Sequence, residues 1–417
     1  MDIARLLKLI AKWMLLLLVL AAVVGSAVAF FLWSLDAVTL YRFGHPWLLY
    51  LLPLAGIAIH FLYKWAGKNA EKGNNLIIDE IHAPGAGVPA RMAPLVLLST
   101  LVTHLFGGSA GREGTAVQMG GSFADFFVRL FTLDHHDRRL LLLCGVAAGF
   151  GAVFGTPVTG AIFALEVLIA GKIDHRGFLP CLLSAWLAKL VVDLWGVAHT
   201  HYQIGYVDTA NLLRAIHWRE IAWVLVAGLA FGLVARLFVW STDTVKNFSL
   251  RWIKWPWMIP AIGALILILL TVLLGTDDYL GLGVQPAQAD SVTLVSAFRP
   301  GGADTWSWLL KLLFTAITLG TGFKGGEVTP LFFIGATLGH SLAVFAGMPI
   351  DLFAALGFIA VFSGATNTPV ACTVMGVELF GGHFMVYYAI ACVIAFYVSG
   401  RRGIYHSQLP QSPTFRY

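Results

Sequence analysis

GSAGREGTAVQMGG, residues 108–121, sets an arginine and a glutamate among glycines in a chain with few charges. Its last eleven residues, GREGTAVQMGG (Gly111–Gly121), resemble GGEVTPLFFIG (Gly325–Gly335). Gly111, Glu113, Thr115 and Gly121 recur as Gly325, Glu327, Thr329 and Gly335, each 214 positions later. A second pair follows in the same order, TPVTGAIFALE (Thr156–Glu166) and TPVACTVMGVE (Thr368–Glu378), offset by 212. Two motif pairs at nearly one offset divide the chain into homologous halves, roughly 1–200 and 201–417. Transporters with internal repeats often bind their ligand where the halves meet.

The surrounding composition says what kind of solvent these halves need. Hydrophobic residues make up 58% of the 417 and charged residues 12%, and the mean hydropathy is +0.80. A soluble chain of this kind would leave too much apolar surface in water. Trp13–Leu32 carries no charge and is long enough to cross a hydrocarbon core. Leu48–Tyr63, Met92–Phe106, Leu140–Phe154, Ile221–Ala235, Ile259–Leu274 and Met385–Val398 are further candidate membrane segments. Trp13–Leu32 is read as a retained span and not a cleaved signal, because apolar segments continue to the C-terminus. The expected fold class is an all-α polytopic membrane protein of broken and tilted helices. No linker separates soluble modules, so one membrane domain over 1–417 is expected, with no soluble regulatory domain.

The formal charge of +5 comes from scattered basic residues and is no nucleic-acid signal. Arg5, Lys8 and Lys12 precede the first span, and Lys64, Lys68, Lys72 and Arg91 follow the second. Arg42 is alone between them. That asymmetry predicts a multi-pass protein of the cell (inner) membrane with both termini cytoplasmic. Cys144, Cys181, Cys372 and Cys392 lie in apolar stretches and read as packed hydrophobes. No metal or cofactor is expected.

Glycine-rich breaks are the chemically informative feature. A helix that starts inside the membrane presents free N–H groups and the positive end of its dipole, an anion site in low dielectric. Candidate starts lie near Asn74 (GNNLII), at Glu113 (GREGT), at Glu327 (GGEVT) and near Ile404 (GIYHSQ). The competing reading is that the 44 glycines serve close helix packing. Glu113 favours a site, because a carboxyl within a membrane is costly. It can fill the place of an anion, and it can be protonated, so anion and carboxylate can compete. A structural pair with Arg112 is the plainer alternative.

Through these motifs the chain resembles the CLC superfamily of chloride channels and anion/proton antiporters. GSAGREG (Gly108–Gly114) matches its GREGP region, and Glu113 falls on its gating glutamate. GVAAGFGAVFGTPVTGAIFALE (Gly145–Glu166) matches the helix pair that follows. The resemblance covers nearly the whole chain and implies inverted repeats and a homodimer with one pore per subunit. The departures resemble the fluoride/proton antiporter branch. The family's GSGIP stands as GNNLI (Gly73–Ile77), GREGP as GREGT and GIFAP as GEVTP (Gly326–Pro330).

The implied function is exchange of fluoride for protons, serving fluoride export. Chloride/proton antiport and passive anion conduction are the alternatives within transport. A membrane enzyme acting on a lipid phosphate is the remote one. Glu113 is the expected gating and proton-coupling residue, and Glu327 the candidate proton carrier. The expected anion-binding set is Asn74, Gly111, Arg112, Gly114, Thr115, Gly326, Val328, Thr329 and Tyr405. Asn74 and Thr329 offer polar donors suited to a strongly hydrated anion. The expected partners are fluoride or chloride, protons, the bilayer and a second copy, with no nucleic acid. The proton glutamate of the chloride exchangers is replaced by Val167. Glu327 would then carry protons, or it would only cap its own helix.

Several residues are discounted. His135 and His136 read as a solvated loop, and His60, His104, His340 and His383 as satisfied packing histidines. Lys189 and Asp193 form an i,i+4 pair. Lys311 either snorkels or adds to the pore field. No phosphate-binding GxxxxGK[ST] loop occurs.

Overall fold

A computed structural model describes residues 3–206 and 218–410. Among them the secondary structure is helical, with isolated bridges but no strand. The first half contains α1 (Ile3–Gly44), α2 (Leu52–Leu62), α3 (Asn74–His82), α4 (Met92–Leu105), α5 (Glu113–Leu130), α6 (His135–Phe154), α7 (Pro157–Glu166) and α8 (Phe178–Leu194). The second contains α9 (Trp218–Trp252), α10 (Met258–Leu274), α11 (Ser307–Gly320), α12 (Val328–Ala346), α13 (Ile350–Thr366), α14 (Pro369–Phe380) and α15 (Met385–Ser399). Six stretches, α1 and α9 among them, are long and apolar enough to cross a membrane. Six further apolar helices, α4, α7, α10, α11, α13 and α14, are shorter, at 10–17 residues.

The centre is built from α5 on α6 and α12 on α13. Residues 352–366 of α13 are all buried. Glycine allows this density. A Cβ at Gly120 would run into the Gly145 carbonyl, and one at Gly335 into that of Gly357. Packing therefore accounts for these glycines, while those at the breaks have a different use. The periphery is apolar and exposed, with Trp33, Trp240, Leu273 and Tyr397 pointing outward. Lipid can solvate that surface directly.

The repeat motifs meet across the halves. Glu166, at the end of α7, accepts from the Val370 and Ala371 amides at 3.1 and 2.8 Å, at the start of α14. Glu378, near the end of α14, accepts from the Val158 and Thr159 amides at 3.0 and 2.7 Å, at the start of α7. The Thr159 hydroxyl adds a third bond to Glu378 at 2.6 Å. The two helices are thus antiparallel, and each supplies the other's N-terminal cap. Helix starts leave four N–H groups unpaired, and each bond to a carboxylate contributes about 1.5–3 kcal/mol. This reciprocity is what an inverted repeat produces.

Three expectations are corrected here. No helix opens near Ile404 among the described residues. The Ile404 amide donates to the Ala365 carbonyl and the Leu409 amide to that of Leu168, while the Ser407 amide donates to the Asn75 side chain. These sideways bonds replace the i→i−4 ladder. His135 and His136 are exposed but begin α6 instead of forming a loop, because Asp134 caps that helix by accepting from the Asp137 amide. Lys311 does not snorkel. It is fully buried, and its ammonium donates to the carbonyls of Tyr279 and Gly281 at 3.2 and 2.8 Å.

Candidate functional site

The two glycine breaks are joined directly. Gly111 and Gly326 form an antiparallel bridge, with N–H to C=O distances of 2.6 and 2.7 Å. This brings the N-termini of α5 and α12 together. A Cβ on Gly326 would lie 2.8 Å from the Gly114 nitrogen and 3.2–3.3 Å from those of Glu113 and Arg112. Glycine at 326 therefore keeps open the amide cradle at the start of α5.

Glu113 is only 1% exposed. Its carboxylate reaches across to the other half, where the Thr329 amide donates to it at 3.0 Å and the Thr329 hydroxyl donates as well. The Arg112 amide is a further donor at 3.1 Å. Glu113 thus occupies the positive end of α12 while also accepting from the N-cap amide of its own helix. The expected alternative, pairing with Arg112, is present but loose: the guanidinium Nε lies 3.6 Å from the carboxylate and completes no hydrogen bond. Arg112 precedes α5, so the rule that helical neighbours face apart does not govern this contact.

Glu327 is placed differently. It stands at the N-cap of α12 yet makes no side-chain capping bond. Glu327 lines a polar cavity of about 160 Å³ that also meets Gly73, Asn74, Gln118, Lys324 and Tyr405. Gly114 lies against this corner: a Cβ there would be 3.2 Å from the Asn74 amide nitrogen and 3.8 Å from Glu327. The Asn74 carbonyl oxygen is buried with no hydrogen-bond partner among the described residues. Tyr405 is 6% exposed and sets its ring edgewise on Phe163.

The structure therefore brings together Asn74, Gly111, Arg112, Glu113, Gly114, Gly326, Glu327, Thr329 and Tyr405. Val328 is buried in the first turn of α12. Thr115 stands apart, because its hydroxyl is bonded to that of Thr100 at 2.8 Å. Sequence reading missed Gln118 and Lys324. Gln118 lies one turn along α5 from Gly114, a spacing that places it on the same face. Lys324, two residues before the Gly326 break, holds its ammonium 4.4 Å from the Tyr63 ring centre.

Two further expectations about histidine part company here. His340 is satisfied, with its ring Nδ1 2.9 Å from the Ala297 carbonyl. His104 is 1% exposed, yet neither ring nitrogen has a partner among the described residues.

Comparison with known proteins agrees with this architecture. The profile of the voltage gated chloride channel family matches residues 54–400. The chain is 47% identical over 409 residues to the chloride/fluoride channel protein of Pseudomonas syringae pv. tomato, covering 97% of this chain and 87% of that one. The crystal structure of a CLC-type fluoride/proton antiporter superposes with a TM-score of 0.88 at 37% identity, covering 96% of this chain and 98% of that one. A slow cyanobacterial Cl⁻/H⁺ antiporter, 16% identical with a TM-score of 0.76 over 93% and 94% of the two chains, shares the fold.

Proposed function

We propose that this chain, which belongs to the voltage gated chloride channel family, exchanges fluoride for protons across the cell membrane. One observation carries the reading. A protonatable carboxylate, Glu113, sits on the donors of a helix start where an anion would sit. Ionised, it holds the Thr329 N–H and O–H itself. Protonated, it no longer competes as an anion, and fluoride can take those donors. Carboxylate and anion are then alternatives at one place, with proton uptake deciding between them, which is the requirement for exchange.

The neighbours suit this role. Fluoride loses strong hydration on entering, so it needs several donors. Asn74, Thr329 and the amide cradle beside Gly326 can supply them. No lysine or arginine ion pair holds Glu327 among the described residues, and a site built on dipoles releases an anion faster than one built on a full charge. Glu327 lines the cavity and is within electrostatic reach of Glu113. It is assigned the proton-carrying role that Val167 cannot perform. The chain is read as a transporter without enzymatic activity, built as a single membrane domain whose termini are cytoplasmic. It works as a homodimer, for which the exposed apolar side chains of α8 and α15 offer a surface, among them Leu179, Trp186, Met385 and Val393.

The test is purified protein in liposomes under a fluoride or a chloride gradient, with proton movement recorded. A fluoride gradient should drive protons the opposite way, and chloride should do so far less. Glu113→Gln should remove the proton movement, since an amide cannot take up and release the proton. Fluoride flux without proton movement in the wild type would refute exchange, and equal driving by chloride would refute the fluoride assignment.

A further inference from the structure

We infer that His104 is a proton-relay residue that passes protons between a second, acid-lined vestibule and Glu113. The inference rests on the exchange reading above and adds to it a route through a cavity that Asn74 and Tyr405 do not line.

His104 closes the last turn of α4. It borders a small cavity of about 30 Å³, room for about two water molecules. Asp36 from α1 and Asp277 and Asp278 from the loop after α10 line the same cavity. Each carboxylate has a partner: the Gln285 amide donates to Asp36 and the Val292 N–H to Asp278, each at 3.1 Å, and Arg42 forms a loose ion pair with Asp277 at 3.6 Å. Lys311, on α11, spends its protons on turn carbonyls. Arg112, on the break before α5, lies beside Glu113. Lys311, Arg42, Arg112 and the Gly111 backbone act on the imidazole, yet nothing among the described residues completes a hydrogen bond to either nitrogen.

A buried imidazole with both nitrogens unpaired is expensive as packing, since buried polar groups are normally bonded. A relay has a use for both. One nitrogen accepts a proton from vestibule water while the other N–H gives one up toward the break. The ring then returns to its starting tautomer by exchange or rotation, with no net change. Glu113 would thus be served from two cavities, by Glu327 at the larger one and by His104 at the smaller one. Three carboxylates gather protons at the vestibule, and with Glu113 they outnumber Arg42, Lys311 and Arg112.

The test is His104→Leu and His104→Gln in liposomes under a fluoride gradient, with the pH of each compartment set separately. Both variants should show coupled exchange slowed by roughly tenfold or more at mildly alkaline pH, the usual scale for losing a positioned proton-transfer group. Acidifying one compartment, and only that one, should restore the rate. A packing role predicts no such one-sided dependence. Should the leucine variant not fold, the glutamine variant decides, because it keeps hydrogen-bonding capacity but cannot relay. Wild-type rate and pH profile in glutamine would overturn the relay while leaving exchange standing. Wild-type fluoride flux with no proton movement would remove both.

Discussion

Thr329→Val tests the bond on which the exchange reading turns. Valine keeps the size and branching of threonine and the main-chain N–H that donates to Glu113 at 3.0 Å. It deletes only the hydroxyl that donates to the other carboxylate oxygen. A hydrogen bond to a charged group contributes about 1.5–3 kcal/mol, and about 1.4 kcal/mol is tenfold in an equilibrium. The balance between Glu113 seated on α12 and Glu113 released should therefore move roughly ten- to a hundredfold toward release. A released carboxylate no longer blocks the anion until a proton arrives, so fluoride should leak. Fluoride efflux from liposomes, measured with a fluoride electrode beside a pH record, should persist while protons moved per fluoride fall. Unchanged coupling would show that the hydroxyl does not hold Glu113 during transport. Loss of fluoride flux with coupling intact would make Thr329 an anion donor and not a latch.

Three other predictions follow from the same geometry. Asn74→Ser should narrow the preference for fluoride over chloride, because it shortens the donor beside Gly114; unchanged relative fluxes would make Asn74 structural. Glu327→Gln should leave a folded protein that has lost coupled transport, and a fluoride gradient that still drives protons in it would end the carrier assignment. Glu80, outside the candidate spans, is pushed up by burial, but the Gly85 and Gly87 amides and Arg138, each at 2.8 Å, outweigh this and hold it below its ordinary 4.5. A lowered folded-state value stabilises above the ordinary carboxylate range and is lost as pH falls through the folded one. Thermal stability in detergent should therefore fall on acidification, and Glu80→Gln should flatten that dependence; an equal acid loss in the variant would place the titration elsewhere.

The repeats, the breaks and the class of fold were legible because they are local. A glycine shortly before a glutamate marks the helix starts at GREGT and GGEVT, and a charge-poor run marks a span. The partners of those glutamates were not legible. Glu113 is held from 216 positions away and Glu378 bonds amides 219 and 220 positions away, and helical spacing carries no information over such distances. For the same reason Lys311 could be flagged but not placed. Its acceptors are carbonyls of a turn near Gly281 and Gly283, both at positive φ, and turn geometry of this kind leaves little trace in hydropathy. The GIYHSQ segment misled because it looks like the other breaks, while its amides find acceptors in α13 and beyond α7.

The cross-half carboxylates also explain why only one of them suits a gate. Glu166, Glu378 and Glu113 each cap a helix of the opposite half, so neither half completes its helix starts alone. Lipid offers no substitute donors or acceptors, and an uncapped start inside a membrane is costly. Opening at Glu166 or Glu378 would expose such a start with nothing to replace the carboxylate. Glu113 differs because of what surrounds it. Asn74, Glu327 and Tyr405 border one polar cavity, and His104 borders a separate, smaller one. When Glu113 leaves, an entering anion can accept from the Thr329 donors in its place, so the start of α12 stays capped throughout. The same bond that joins the halves is therefore the one that can be traded for a transported ion without unmaking the fold.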